Sequence, residues 1–209
     1  MKKYWEKVSY KKLFQIILKA EKEKSRQASK DVRKKMYKTN DDKPSFDEIS
    51  NLIKEAPKTF DSIKENWRKE NFVKAISVIY FLRDLTEEPD HFFPWFFTLL
   101  ENESGIIRQA TVRMINIELG PLTVHIRCPE SKHWSRKFSV ETADLILRGL
   151  FICLYKLLHK YWKKSYENHK YINTLPPSPY KSVQIILRDM EYLCGEKYLK
   201  QVEEKIYNE

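Results

Sequence analysis

Apolar residues recur along most of the chain at intervals of three and four, the spacing that gathers them on one face of an α-helix. The first such run predicts a helix over about residues 9–37, with Leu13, Ile17, Ala20, Ala28 and Val32 near one face and a thin apolar stripe in its second half. In Ser45-Phe46-Asp47-Glu48 the Ser45 hydroxyl and the Glu48 carboxylate have the spacing of a capping box, each satisfying the other's free backbone N–H. A helix ending near Pro57 should follow, then a short helix over about 59–69 and a more apolar one from Asn71 to Leu85, stopped at Pro89.

Pro94 to Leu100 and Ser104 to Leu119 read as two helices joined by the turn Glu101-Asn102-Glu103, with Gly120-Pro121 marking the end. Leu122 to Arg127 alternates apolar and polar, which fits a short strand, although no partner strand can be found. Residues 128–138 are polar and loop-like. Ser139 caps a long helix running to about Glu167, apolar nearly all round between Leu145 and Leu158, as expected of a central buried element. Asn173 to Pro179, rich in proline, reads as an extended linker. Ser182 opens a helix through Leu193, Gly195 fits a C-cap, and Glu196 to Tyr207 forms the last helix.

The segment Pro94 to Ile115 resembles a HEAT repeat, whose unit is an antiparallel helix pair with an early proline, a short acidic turn, and an aliphatic-Arg pair followed by a small residue. Pro94, Glu101 to Glu103, Ile107-Arg108 and Ala110 occupy those places, and the resemblance covers about residues 94–118. Leu99, Leu100, Ile107, Val112 and Ile115 are available to fill the interface, while Ala110 permits close approach. The pattern of the whole chain predicts an all-α fold of antiparallel helix pairs, packed either as a HEAT-like stack or as an irregular bundle around the long helix at about 139–167.

Charge changes this picture at one end. The net charge is +10, and residues 1–38 hold fourteen Lys and Arg against four Asp and Glu, so the remainder is neutral. That asymmetry predicts a basic N-terminal helix or arm over 1–38 and a single all-α domain over 39–209. A local field of this sign attracts acidic surfaces, whether on protein, lipid or nucleic acid. The four glycines are isolated, which excludes phosphate-cradling loops and dinucleotide fingerprints. Three cysteines without paired spacing suit reduced thiols, and no run is apolar and long enough for a secretory signal or a bilayer span, so a soluble cytoplasmic protein is expected.

Three groups of residues could carry function. Lys19, Lys22, Arg26, Lys30 and Arg33, with Lys34 beside them, recur at helical spacing and would meet phosphates without reading sequence. Lys156, Lys160, Lys163 and Lys164 form a second stripe at the end of the long helix, interleaved with Tyr161, Trp162, Tyr166 and Tyr171, a mixture suited to single-stranded nucleic acid. The polar insert is a candidate loop site at His125, Arg127, His133 and Arg136: Arg127, Lys132 and Arg136 could bind an anion, and His125, Cys128 and His133 could supply three zinc ligands, although their spacing matches no standard site and no fourth ligand is evident. No catalytic motif is present, and neither a cofactor nor a metal is expected. The reading is a non-enzymatic macromolecule-binding module, its partner a protein or a nucleic acid. A helical-repeat DNA glycosylase is the enzyme alternative that the resemblance brings, but the tryptophan-rich segment with a following aspartate that marks those enzymes has no clear match.

Overall fold

A computed structural model describes residues 8–38, 46–83, 90–130 and 139–207. Among them are eleven α-helices and no strand, so the fold is all-α. The chain divides into two compact units, Met1–Glu87 and Glu88–Glu209.

The first unit holds α1 (Tyr10–Lys19), α2 (Lys22–Lys38), α3 (Phe46–Lys54), α4 (Ala56–Ser62) and α5 (Asn66–Ile79), followed by a 3-10 turn at Tyr80–Leu82. The single helix expected over 9–37 is therefore two. Ala20 takes an extended conformation at the end of α1, and the carbonyls left open there are satisfied from elsewhere in the chain. Arg68 Nη1 donates to the carbonyls of Ile17, Leu18 and Ala20 at 3.2, 2.6 and 3.0 Å, and Ser25 Oγ donates to that of Ile17 at 2.9 Å. A cation at a helix C-terminus also meets the negative end of the macrodipole. At the other end of α1, Ser9 Oγ accepts from the Lys12 N–H and the Glu48 carboxylate accepts from the Lys11 N–H at 2.6 Å. Glu48 thus caps a helix distant in sequence, while the Ser45 half of the expected capping box lies outside the described residues.

Leu13, Phe14 and Ile17 of α1 are almost wholly buried, each contributing about 1.5–3 kcal/mol by area. Phe14 meets Phe72 of α5 edge to face at 5.8 Å. Helices α1 and α2, which the charge pattern sets apart as an arm, both pack against α5 within this unit. The buried residues of α2 are Ser25, Ala28, Ser29, Asp31 and Val32, and the small ones among them let the two backbones approach. Ser29 Oγ donates to the Asn71 carbonyl at 2.9 Å, and Asn71 Nδ2 donates to Ser25 Oγ at 3.1 Å. The helix expected over 59–69 is also divided, since Pro57 sits in the first turn of α4, where its missing N–H costs nothing, and buried Ile63 is extended between α4 and α5.

The second unit holds α6 (Phe93–Leu100), α7 (Gly105–Leu122), α8 (Val124–Arg127), α9 (Val140–Tyr161), α10 (Pro179–Cys194) and α11 (Glu196–Tyr207), with 3-10 turns at Lys164–Asn168 and Ile172–Thr174. Helix α10 packs on α7, α9 and α11, with Val183, Ile186, Met190 and Cys194 inward. Arg108 is buried in the α6–α7 pair and donates through Nη1 to the carbonyls of Asn102 and Glu103 at 2.6 and 2.7 Å, closing the turn between them.

Several expectations are corrected here. Gly120-Pro121 lies within the last turn of α7, which ends at Leu122 and not at Leu119, because a proline in the last turn removes only one hydrogen bond. The alternating run Leu122 to Arg127 is no strand but leads into the one-turn helix α8, begun by Thr123, whose Oγ1 donates to the Leu119 carbonyl at 2.7 Å. The long helix stops at Tyr161, six residues early, and Leu145 on its outer side is 70% exposed. The proline-rich segment is not a free linker. Leu175 is buried, Lys181 Nζ donates to the carbonyls of Asn173 and Leu175, and α10 begins at Pro179 because Ser178 Oγ accepts from the Lys181 N–H.

Candidate functional site

The burial of Ser25, Ala28, Ser29 and Val32 against α5 fixes which side of α2 meets solvent. Lys22, Arg26, Lys30, Arg33 and Lys34 all lie on the exposed side, and Lys19 is exposed at the end of α1. Lys34 pairs with Asp31 at 3.2 Å, and the Arg33 guanidinium lies 6.0 Å from the Tyr37 ring centre. Among the described residues no carboxylate pairs with Lys22, Arg26 or Lys30. From Lys22 to Arg33 the helix rises about 16 Å, roughly five phosphate steps along one strand. Charge follows the division of the chain: the first unit carries 22 Lys and Arg against 14 Asp and Glu, or +8, and the second 17 against 15.

The second stripe does not exist as a helix face, because α9 ends at Tyr161 and leaves Lys163 and Lys164 in the loop beyond it. Lys160 is committed elsewhere. Its Nζ donates to Glu101 Oε2 at 2.8 Å, and Tyr161 OH donates to the same oxygen at 3.0 Å. These bonds, the lysine's foremost, hold the Glu101 carboxyl below the usual carboxylate range. The loop after α9 is anchored by buried Tyr166, stacked on Tyr180 at 4.7 Å, while Trp162, Lys163, Lys164, Lys170 and Tyr171 are exposed.

The polar insert resolves differently from expectation. Arg127 Nε donates to Thr123 Oγ1 at 3.0 Å and Nη2 to the Gly120 carbonyl at 2.8 Å, so its guanidinium serves the α7–α8 junction. His125 Nε2 lies 2.9 Å from Asp144 Oδ1, and Tyr198 OH donates to that same oxygen at 2.6 Å. One carboxylate on α9 thereby fastens α8 and α11. Burial first, and then the Asp144 bond, push the Tyr198 phenol above its ordinary range. Lys132, His133 and Arg136 lie outside the described residues.

Beside Asp144 a groove of about 320 Å³ is lined by Glu141, Leu145, Arg148, Tyr198, Gln201 and Val202. Neighbouring Cys194 is buried, and its thiol is pushed up to about 11, by burial foremost. Among the described residues no group of three His, Cys, Asp or Glu could hold a metal, and no helix is long and apolar enough to cross a membrane.

Sequence reasoning missed Arg68, Glu101, Asp144 and Tyr198. Each bonds a residue far along the chain, and nothing in local spacing marks such a pairing. No family model, curated protein or solved structure matches this chain.

Proposed function

We propose that the chain is a macromolecule-binding helical module whose partner is nucleic acid, held at the phosphate backbone by the exposed cations of α2. The observation that carries this reading is the row Lys22, Arg26, Lys30 and Arg33, exposed on a helix whose opposite face is packed against α5. A cation already paired with a carboxylate gains little from a phosphate. Lys22, Arg26 and Lys30 have no such pair among the described residues. Held on a packed helix, the row has a backbone that is already ordered, so binding costs the freedom of the side chains alone. The HEAT-like reading of residues 94–118 belongs to the same proposal. It is supported by the short turn between α6 and α7 and by Arg108, which stands at the repeat's arginine position and bonds the turn carbonyls.

The test is fluorescence anisotropy with labelled oligonucleotides across a salt series. Four phosphate contacts on duplex give a slope of log K against log salt of about −3.6. Neutralising three of them in R26Q/K30Q/R33Q should reduce the slope to about −0.9. Absence of binding at low salt, or a slope that the triple variant leaves unchanged, overturns the reading.

A further inference from the structure

The loop between α9 and α10 shows two large rings to solvent on a backbone that is otherwise tied down. Trp162 is 48% exposed and Tyr171 60%. The tie points are the buried Tyr166, stacked on Tyr180, the buried Leu175, and Lys181, whose ammonium donates to the Asn173 and Leu175 carbonyls. Thr174 Oγ1 donates to the Tyr171 carbonyl at 2.7 Å, which fixes the backbone that carries the second ring. Tyr166 shows that an aromatic side chain of this loop can be buried, so the exposure of Trp162 and Tyr171 is not imposed by the loop being short of core.

The charges around these rings have one predominant sign. Lys163, Lys164 and Lys170 are exposed between Trp162 and Tyr171, against the single acid Glu167. The Lys170 ammonium lies over one face of the Tyr171 ring, 5.4 Å from its centre, so a base would take the other face. A cation able to meet a phosphate therefore stands beside a ring able to meet a base.

We infer that this loop is a stacking platform for single-stranded nucleic acid, with Trp162 and Tyr171 taking bases and Lys163, Lys164 and Lys170 neutralising phosphates. The chemistry selects a single strand because base faces are hidden inside a duplex, whereas an unpaired base can turn onto an exposed ring. Any base has such a face, so little sequence preference is expected. The inference deepens the nucleic-acid reading and rests on it for the class of partner. It uses a different unit of the chain from the α2 row.

The test uses the full-length protein and two labelled probes: an oligothymidylate of about ten nucleotides and an abasic deoxyribose-phosphate oligomer of equal length, which has the charge without the bases. The unaltered chain should prefer the oligothymidylate by about tenfold or more. W162A and Y171A should each lose most of that preference with little change toward the abasic oligomer, and W162F, which keeps a ring, should retain it. Far-UV circular dichroism confirms that each variant is folded. Equal affinity for the two probes in the unaltered chain, or a preference that W162A and Y171A leave intact, overturns the inference. R26Q/K30Q/R33Q separates the two proposals. If it abolishes duplex binding while the loop variants change nothing, the α2 reading stands and the platform fails; the reverse result removes the α2 row and keeps the platform.

Discussion

Replacing Arg68 with alanine should loosen the first unit more than any surface charge change there. The Arg68 side chain is 12% exposed and its Nη1 meets three carbonyls at the end of α1, while its Nε and Nη2 reach the exposed Glu65. Ile17 keeps a second donor in Ser25, but no other donor is found among the described residues for the Leu18 and Ala20 carbonyls. Hydrogen bonds from a charged donor are worth about 1.5–3 kcal/mol, here to partly buried acceptors, and the helix C-terminus adds about 0.3–1 kcal/mol for a cation. The shared donor atom and the partial exposure reduce the total, so a loss of about 2–3 kcal/mol is expected for R68A, roughly 30- to 150-fold in the local opening equilibrium. Hydrogen exchange measured by mass spectrometry on peptides from α1 and α2 reads this directly, against α10 as an internal reference. Because Ser25 and Arg68 share the Ile17 carbonyl, S25A and R68A should not be additive. A lysine ammonium carries three donors on one atom but cannot meet the α1 carbonyls and Glu65 together as the guanidinium does, so R68K should recover part of the lost protection and not all of it. A change below about fivefold in R68A, or full additivity with S25A, would falsify the claim that Arg68 sets the break between α1 and α2.

Three further outcomes are expected. Gly195 has φ +82° and ψ 148°, a conformation that residues with a Cβ rarely adopt, so G195A should cost about 1–3 kcal/mol in chemical denaturation despite the open space around it; a neutral result would refute the strain argument. With its thiol pushed up to about 11, buried Cys194 should resist a thiol reagent at pH 8 in the folded chain while exposed Cys128 reacts, and equal labelling of the two would contradict the packing of α10. Burial, and secondarily Glu48, push the Tyr10 phenol up to about 12 from an ordinary value of 10.0, so its contribution is intact below about pH 10 and is lost as pH rises toward 12. Stability of Y10F should fall less steeply over that window, and an unchanged slope would count against the assignment.

The spacing of apolar residues determined that this chain is all-α and, in α2, which cations face solvent. Positions three and four apart share a helix face whatever the helix packs against, so burying Ala28 and Val32 leaves Lys22, Arg26 and Lys30 outside. Local signals also fixed the stop at Gly195 and the start of α9, where Ser139 Oγ accepts from the Thr142 N–H. Breaks and bonds that depend on distant residues were not legible in the same way. Nothing near Ala20 marks the end of α1, because the donor for its carbonyls is Arg68; the end of the long helix at Tyr161 carries no glycine or proline either, and its last turn is gripped by Glu101. His125 looked like a loop residue with several uses until the fold placed it against Asp144 and Tyr198. Helix geometry fixes near neighbours by counting, whereas a hydrogen bond between residues fifty positions apart exists only once packing has closed the chain between them, and that step belongs to the tertiary structure.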